Sequence, residues 1–284
     1  MKSISARKVF EINKVWHKYE SEFYDSAYQN FFLKPTEIWE KFAKLYMNSG
    51  ALKVMDFGCG TGFVSRIIIP YLNKNSRIFL VDSSREMLNI ASQNVKFKKT
   101  KKVLVLDKDF SVNNQLDSFD IICVNGVLHH IKNVESLFER FRIWLRPGGL
   151  LLIVHEPHLG FSGILNRITF LKPISKAICR KSKKIDPLFV ANVNEELKRE
   201  GLSKGWLTEN ELLSIVDYGN RQENQLYKTR YALNKQFFKR QKGFVVKEHG
   251  KYTSLRNPKN CRAGFIDFFL NRNNLQYCVL ECVR

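Results

Sequence analysis

Residues 54–62, with the sequence VMDFGCGTG, contain the feature that decides the fold of this 284-residue chain. An apolar stretch runs into three closely spaced glycines, and a helical pattern begins at Phe63. Glycine allows positive φ and lets a ligand approach the backbone, and the start of a helix offers free N–H groups. The third glycine comes one residue too early for the fingerprint G-x-G-x-x-G, and the Lys-Ser/Thr pair of a phosphate-binding P-loop is absent. The sequence therefore predicts a strand, a ligand-binding turn and a helix that differ from both of these motifs.

From Leu52 to about Glu156, short apolar runs alternate with stretches of helical periodicity. The apolar runs are nearly continuous in Val, Ile and Leu, which is typical of strands covered on both faces. They are Leu52–Asp56, Ile78–Val81, Val103–Leu106, Ile121–Val124 and Leu150–His155. Between them lie a helix with a capping box that begins at Ser83, and another with an apolar face over 135–145. This alternation predicts a Rossmann-like α/β fold, with a parallel sheet and helices on both faces.

The segments that flank this core have less regular patterns. Residues 1–49 are expected to form an N-terminal helical cover, with Thr36 as a helix cap, and residues 50–156 the ligand-binding core. Residues 157–242 are expected to form a helical insertion or lid after the fifth strand, which selects the substrate. Residues 243–284 contain the final strands that complete the sheet. We expect these segments to form one domain overall.

Acidic residues at the ends of the first three strands indicate what the glycine turn binds. Asp56, two positions before Gly58, favours a ligand with a positive charge near the turn, such as an amino group. Asp82 ends the second strand, where a carboxylate can accept both hydrogen bonds of a ribose diol. The third strand ends in Asp107 and Asp109, and either carboxylate can accept from an adenine amine. A cationic amino acid, a ribose and an adenine together describe S-adenosylmethionine.

Five segments in this order resemble the class I S-adenosylmethionine-dependent methyltransferases, and most of all their small-molecule and quinone-biosynthesis branch. They are VMDFGCGTG, FLVDSSREML, LDKDF, SFDIICVNGVLHHI and LRPGGLLLIVHEP, and they cover about residues 50–156. The resemblance implies a seven-stranded sheet with an antiparallel last strand and an aromatic N-terminal cover over the cofactor (Tyr19, Phe23, Tyr24, Tyr28 and Phe31). It also implies a set of cofactor-binding residues: Asp56, Gly58, Cys59, Gly60, Thr61, Gly62, Asp82, Ser83, Met87, Asp109, Phe110, Asn125 and Leu128. Asp109 is preferred to Asp107 as the adenine acceptor because Phe110 then lies beside the base.

Methyl transfer from a sulfonium mainly requires that donor and acceptor are held in line. An oxygen acceptor can also require a general base, whereas an amine must be neutral. Candidate bases follow the fourth and fifth strands, at the sheet edge where ligands bind in such folds. They are His129 and His130, one of which is expected to pack structurally, and His155 and Glu156, which are expected to face the acceptor pocket. The six cysteines lack metal-ligand spacing, so no metal is expected.

The chain carries 47 Lys and Arg residues against 27 Asp and Glu, a formal charge of +20 that is denser after residue 150. Residues 161–184 hold seven basic residues and no acid in an amphipathic pattern. This pattern favours contact with an anionic membrane or with an amphiphilic substrate. Over residues 228–262, basic residues are mixed with aromatic ones, which keeps RNA as an alternative partner. Neither a membrane-spanning run nor a secretory signal is evident, so we expect a cytoplasmic protein, with peripheral membrane contact as an option.

The sequence thus predicts an S-adenosylmethionine-dependent methyltransferase that acts on a small-molecule or lipid-linked, anionic acceptor. One alternative is an RNA methyltransferase that uses the basic C-terminal half. The other is a non-catalytic homologue that only binds the cofactor. The identity of the acceptor and the choice between O- and N-methylation are left open by the sequence.

Overall fold

The computed structural model describes residues 5–28, 33–48, 50–96, 101–106, 118–157, 185–216, 233, 235–252 and 275–283. The strands in these ranges are β1 (Lys53–Phe57), β2 (Arg77–Asp82), β3 (Lys101–Leu106), β4 (Phe119–Asn125), β5 (Leu145–Pro157), β6 (Phe244–Tyr252) and β7 (Leu275–Cys282). The α-helices are α1 (Ala6–Glu20), α2 (Tyr24–Tyr28), α3 (Leu33–Tyr46), α4 (Phe63–Ile68), α5 (Arg85–Asn94), α6 (Val134–Trp144), α7 (Pro187–Arg199), α8 (Glu209–Val216) and α9 (Lys235–Lys239).

All seven strands belong to one sheet, in the order β3-β2-β1-β4-β5-β7-β6. Strands β1 to β5 pair in parallel, and β7 runs antiparallel to both of its neighbours, β5 and β6. This arrangement confirms the predicted Rossmann-like sheet with an antiparallel last strand. The chain order reverses between β1 and β4, and ligands bind beside the carboxyl ends of the strands at such a point.

The two faces of the sheet carry separate apolar cores because successive side chains of a strand point to opposite faces. Val54 of β1 packs in one core with Trp39 and Phe42 of α3 and with residues of α4 and α5. Met55, the next residue, packs in the other core with Phe141 of α6 and with residues of α9. The strands are therefore covered on both faces, as their near-continuous apolar sequences predict.

A third apolar core lies away from the sheet, where α1 packs against α7 and α8. Ile12 and Trp16 of α1 are buried in it, and the Trp16 ring meets the edge of Phe189 at a centroid distance of 4.7 Å. The buried carboxylate of Glu196 on α7 accepts from the ammonium of Lys18 at 2.8 Å. We call α1, α7 and α8 together the cover. It joins the N-terminal segment to the segment between β5 and β6.

The start of α5 differs by one residue from the prediction that Ser83 caps it. The N-cap is Ser84, whose hydroxyl accepts from the Met87 N–H at 3.2 Å. The Ser84 N–H in turn donates to the carboxylate of Asp82 at 2.9 Å, which extends the turn after β2 by one residue.

The predicted cap at Thr36 is also wrong, because α3 already begins at Leu33 and Thr36 lies inside it. Pro35 falls in the first turn of this helix. Proline is tolerated there, since the N–H it lacks would have no intrahelical partner.

Several predictions fall on parts of the chain that lie outside the described residues. These are the basic segment 161–184, residues 228–232, 234 and 253–262 of the segment 228–262, and the residues Asp107, Asp109 and Phe110. Contact with a membrane or with RNA, and the adenine contacts, therefore stay predictions, as do the proposed segment boundaries. Among the helices that are described, none is both long and apolar enough to cross a membrane.

Candidate cofactor-binding site

The glycine turn after β1 is held tightly between two neighbouring segments. Gly58, Gly60 and Gly62 have φ values of 67°, 50° and 87°, which L side chains rarely adopt. A Cβ on Gly58 would lie 2.4 Å from a methyl of Val127, and one on Gly62 would lie 2.4 Å from a methyl of Val95. A Cβ on Gly60 would meet nothing within 4 Å. The turn therefore packs closely at both ends, and its middle faces open space.

A cavity of about 390 Å³ opens over this turn, beside the ends of β1, β2 and β4. This volume lies in the range of small-molecule sites. Six of the predicted cofactor residues line the cavity: Gly58, Gly60, Asp82, Ser83, Met87 and Asn125. The side-chain oxygen of Asn125 accepts from the indole N–H of Trp39 at 2.9 Å, so α3 orients this amide at the cavity wall.

Asp82 connects the glycine turn to the end of β2. One carboxylate oxygen accepts from the Gly60 N–H at 2.9 Å and the other from the Ser84 N–H at 2.9 Å. Burial raises the pKa of this carboxyl, although the two backbone donors oppose the rise. Each carboxylate oxygen can accept more than one hydrogen bond. Asp82 therefore fixes the turn and keeps acceptor capacity for a diol in the cavity.

Asp56 is placed differently from the expectation that it meets a cationic ligand. Its carboxylate is buried beneath the turn and does not line the cavity. One oxygen accepts from the backbone N–H and the hydroxyl of Ser65, at 3.1 and 2.5 Å. Burial raises the pKa of Asp56 to about 7. Because the first N–H groups of a helix lack intrahelical partners, Asp56 anchors the start of α4.

The other predicted cofactor residues lie around the cavity without lining it. Cys59 and Leu128 are buried in the two sheet cores, and Gly62 packs on α5. Thr61 donates its hydroxyl to Asp25 of α2 at 2.6 Å, and Asp25 also lies 3.4 Å from the guanidinium of Arg66. Through Asp25, α2 is fastened onto the glycine turn.

Of the predicted aromatic cover residues, Tyr24 lines the cavity. Tyr19 instead donates to the carboxylate of Glu196, and the ring of Phe23 meets the ring of Phe189 at a centroid distance of 5.6 Å. The side chain of Tyr28 and all of Phe31 lie outside the described residues.

Glu156, predicted to face an acceptor pocket, is fully buried beneath the loop after β4. One oxygen accepts from the N–H groups of Val127 and Leu128, at 2.7 and 2.8 Å. The other accepts from the His129 N–H at 3.2 Å and lies 3.0 Å from the Nδ1 atom of its ring. Both oxygens are thus occupied, which does not match the expected exposed base. Glu156 positions the loop, and His129 is bound to it.

His155, the residue before Glu156, has a φ of 65°, and the pairing of β5 with β7 shifts register between Ile153 and Glu156. A bulge of this kind redirects side chains at the end of a strand. The Nδ1 atom of His155 lies 3.2 Å from the Tyr252 hydroxyl, and burial lowers the pKa of the imidazole to about 4. His155 is therefore neutral and packed beside the cavity, and the bulge aims Glu156 at the loop.

Of the four predicted bases, His130 lines the cavity. Its Nδ1 atom lies 2.7 Å from the carbonyl oxygen of Val216, at the end of α8. A carbonyl only accepts hydrogen bonds, so Nδ1 carries the proton. Burial and the neighbouring rings of His129 and His17 hold the pKa of His130 well below its usual range. The imidazole is therefore neutral, with its proton on Nδ1.

The cavity is closed from above by α1, which belongs to the expected N-terminal cover, but through residues that the sequence analysis did not assign to the site. Phe10, Asn13 and His17 line it, at a spacing of three and four residues along one helix face. The carboxylate of Glu20 lies 2.8 Å from the Nδ1 atom of His17. The spacing was visible in the sequence, but a polar helix face ordinarily indicates contact with solvent.

Together, the glycine turn, the carboxylate at the end of β2 and the cavity between them define a nucleoside-binding site of an α/β protein. The residues present fit S-adenosylmethionine: Gly60 leaves room beside the turn, and Asp82 presents acceptors for a ribose. No group of three or more His, Cys, Asp or Glu side chains that could hold a metal ion occurs in the described ranges.

Comparison with known proteins identifies the core. The family model described as "Methyltransferase domain" matches residues 55–151. (S)-coclaurine N-methyltransferase from Thalictrum flavum subsp. glaucum is 28% identical over 123 residues, which are 42% of this chain and 34% of that protein. Malonyl-[acyl-carrier protein] O-methyltransferase from Halalkalibacterium halodurans is 30% identical over 101 residues, 35% of this chain and 37% of that protein. Ribosomal RNA large subunit methyltransferase G from Vibrio vulnificus is 30% identical over 125 residues, 40% of this chain and 32% of that protein.

The matched domain contains the glycine turn, Asp82 and the loop after β4, in the strand order described above. Residues 55–151 thus form a methyltransferase domain with the Rossmann-like sheet, which agrees with the resemblance noted in the sequence. The match spans about a third of the length of the relatives named above. It therefore identifies the domain and its cofactor, and the activity of the whole protein is the subject of the proposal below.

Proposed function

We propose that this protein transfers the methyl group of S-adenosylmethionine to a small-molecule or lipid-linked, anionic acceptor. The observation that carries the proposal is the single cavity in which the glycine turn, Asp82 and His130 meet beneath the cover. Two of the named relatives support the small-molecule class, since their names refer to coclaurine and to malonyl-[acyl-carrier protein]. The formal charge of +20 supports an anionic acceptor.

The cofactor, when bound, supplies a methyl group on a positively charged sulfur. The backbone of Gly58 and Gly60 would hold its amino-acid part, and Asp82 its ribose. Ser83 and Met87 would flank the nucleoside, with Asp109 and Phe110 as the predicted contacts of the adenine. The cover would exclude water from the cavity, so that the acceptor meets the methyl group in a fixed orientation.

His130 is the residue that we expect to contact the acceptor. Its imidazole lines the cavity and is neutral, which is the form that accepts a proton from an oxygen acceptor or a hydrogen bond from an amine. In this proposal Glu156 and His129 act through the loop that they hold. His155 remains a predicted base beside the cavity, oriented by Tyr252.

The proposal is tested by transfer of radiolabelled methyl groups into separated lipid, metabolite and RNA fractions. Label in the lipid or metabolite fraction that depends on the protein supports the proposal. The matched control is Asp82→Ala, which should reduce the label together with cofactor affinity. Label confined to RNA would defeat the proposed acceptor class.

An RNA methyltransferase is the second candidate, because one named relative is a ribosomal RNA methyltransferase and the C-terminal half is the more basic. This candidate requires binding to bulk tRNA that weakens steeply with added salt. A flat salt dependence would eliminate it. The third candidate, a non-catalytic homologue, predicts binding of S-adenosylhomocysteine without label in any fraction.

A further inference from the structure

Helix α1 has two buried faces with different surroundings. One face packs against α7 and α8 and consists of apolar residues, among them Ile12, Val15 and Trp16. The other face lines the cavity and includes the polar residues Asn13 and His17. A helix that only packed on its neighbours would have no need of a buried amide on its second face.

Within the described part of the chain, the side-chain amide of Asn13 has a hydrogen-bond partner for its nitrogen and none for its oxygen. Asn13 is 5% exposed, and its Nδ2 atom donates to the Val9 carbonyl oxygen at 2.9 Å. This contact fixes the orientation of the amide, because the reversed orientation would bring two oxygens together. The Oδ1 atom is buried and has no hydrogen-bond partner among the described residues. A buried acceptor without a donor is costly, so a ligand donor in the cavity is the expected partner.

The position of Asn13 along α1 and α2 indicates which part of a ligand lies beside it. Asp25 of α2 is bound to Thr61 of the glycine turn, the end assigned to the amino-acid part of the cofactor. Further back along the chain, His17 lines the same cavity as the ribose acid Asp82. Asn13 lies on the same face of α1 one helical turn before His17, about 5.4 Å away along the helix axis. The next part of the cofactor in that direction is the base.

We propose that the Oδ1 atom of Asn13 accepts a hydrogen bond from the exocyclic amine of the cofactor's adenine. The inference rests on the proposed function, because it takes S-adenosylmethionine as the ligand of the cavity. The amine has two N–H groups, so the contact is compatible with the predicted contact to Asp109. In this arrangement α1 of the cover is part of the cofactor site, because it contacts the adenine directly.

The chain contains a matched control for Asn13. Asn194 of α7 is 3% exposed, and its Nδ2 atom also donates to the carbonyl four residues earlier, that of Val190, at 2.9 Å. Its Oδ1 atom, however, accepts from the Leu207 N–H at 2.8 Å. Its Nδ2 atom also donates to the Leu207 carbonyl oxygen at 2.9 Å. The two asparagines thus share a helical setting, but both ends of the Asn194 amide are bound to Leu207, whereas the Oδ1 atom of Asn13 has no partner in the part of the chain that the structure describes.

The test compares Asn13→Leu and Asn194→Leu by calorimetric binding and thermal unfolding of the full chain. The probes are S-adenosylhomocysteine and its deaminated analogue S-inosylhomocysteine, in which an oxygen replaces the adenine amine. We expect Asn13→Leu to lower the affinity for S-adenosylhomocysteine about tenfold. The affinity for S-inosylhomocysteine should change by less than about twofold. The melting temperature of Asn13→Leu should fall less than that of Asn194→Leu, because only the contact to the Val9 carbonyl oxygen is lost. Asn194→Leu should melt lower and bind S-adenosylhomocysteine normally.

Asn13→Ala is the second variant, since it cannot intrude on the cavity and should show the same selective loss. Unchanged affinity of both Asn13 variants for S-adenosylhomocysteine would overturn the inference. An equal loss for both probes would overturn it as well, because the contact would then not involve the amine. A wild-type protein that bound neither probe would instead overturn the proposed function, and this inference with it.

Discussion

The buried carboxylate of Glu156 offers the sharpest test of how the site is held together. Glu156→Gln keeps the shape of the side chain and removes its charge. The oxygen that remains can still accept from the N–H groups of Val127 and Leu128. The new NH₂ group then faces the N–H and the Nδ1 atom of His129, which both lose their acceptor.

The size of the effect follows from these two contacts. A hydrogen bond to a charged group contributes roughly 1.5–3 kcal/mol, so the free energy of unfolding should fall by about 3–5 kcal/mol. With an unfolding entropy of about 2.1 cal/mol/K per residue, this loss lowers the melting temperature of a chain of this length by roughly 5–8 °C. The affinity for S-adenosylhomocysteine should fall at least about fivefold. It falls because the loop lines the cavity and Val127 packs against Gly58.

Circular dichroism melts and titration calorimetry with S-adenosylhomocysteine measure the two effects. Glu196→Gln is the control, because Glu196 is also buried but contacts Lys18, Tyr19 and Arg199 at the cover. Glu196→Gln should lower the melting temperature and change the affinity for S-adenosylhomocysteine by less than about threefold. A Glu156→Gln protein that melts and binds like the wild type but transfers no label would refute our reasoning. That result would instead indicate that Glu156 acts as a base.

Four further expectations concern the cavity and the residues beneath it. Gly62→Ala should lower the melting temperature by several degrees, because the new Cβ would clash with Val95 and φ is positive. Gly60→Ala has space for its Cβ, so it should cost only about 1 kcal/mol of stability and mainly weaken cofactor binding. Asp82→Ala should weaken S-adenosylhomocysteine at least about tenfold by calorimetry, and unchanged binding would contradict the ribose assignment. Burial raises the folded-state pKa of Asp56 from 3.8 to about 7, so the folded protein binds more protons between these values and loses stability as pH rises through them. Asp56→Asn should remove this dependence. In thermal melts at several pH values, the melting temperature of the variant should therefore rise relative to that of the wild type from about pH 4 to pH 7.

The sheet and the glycine turn were predictable because their signals are local. Strands covered on both faces need continuous apolar sequence, and a turn with positive φ needs glycine, so β1 and residues 58–62 could be located from sequence alone. The position of Asp82 follows from the same logic, since the end of β2 fixes it beside the turn. The resemblance of the core to methyltransferases was also visible in the sequence, because these local features occur in a fixed order.

The roles of Glu156 and Asn13 depend on contacts between distant segments, which residue types do not reveal. The sequence places Glu156 at the end of β5, where an exposed side chain would face a ligand. The bulge at His155 instead turns it beneath the loop after β4, and a histidine with positive φ has no sequence signal. Asn13 resembles a solvent-exposed residue until α1 lies over the cavity.

The two parts of the cover lie far apart in the sequence, since α1 belongs to the N-terminal segment and the other two helices lie within residues 187–216. This separation has a consequence for protein engineering. Lys18 and Glu196, which join the two parts, are separated by 178 positions. A chimaera that received α7 and α8 from a relative would set a foreign surface against Trp16, and would tilt α1 over the cavity. The cover could therefore be transplanted only by exchanging residues 6–20 and 187–216 together, as one module encoded in two pieces.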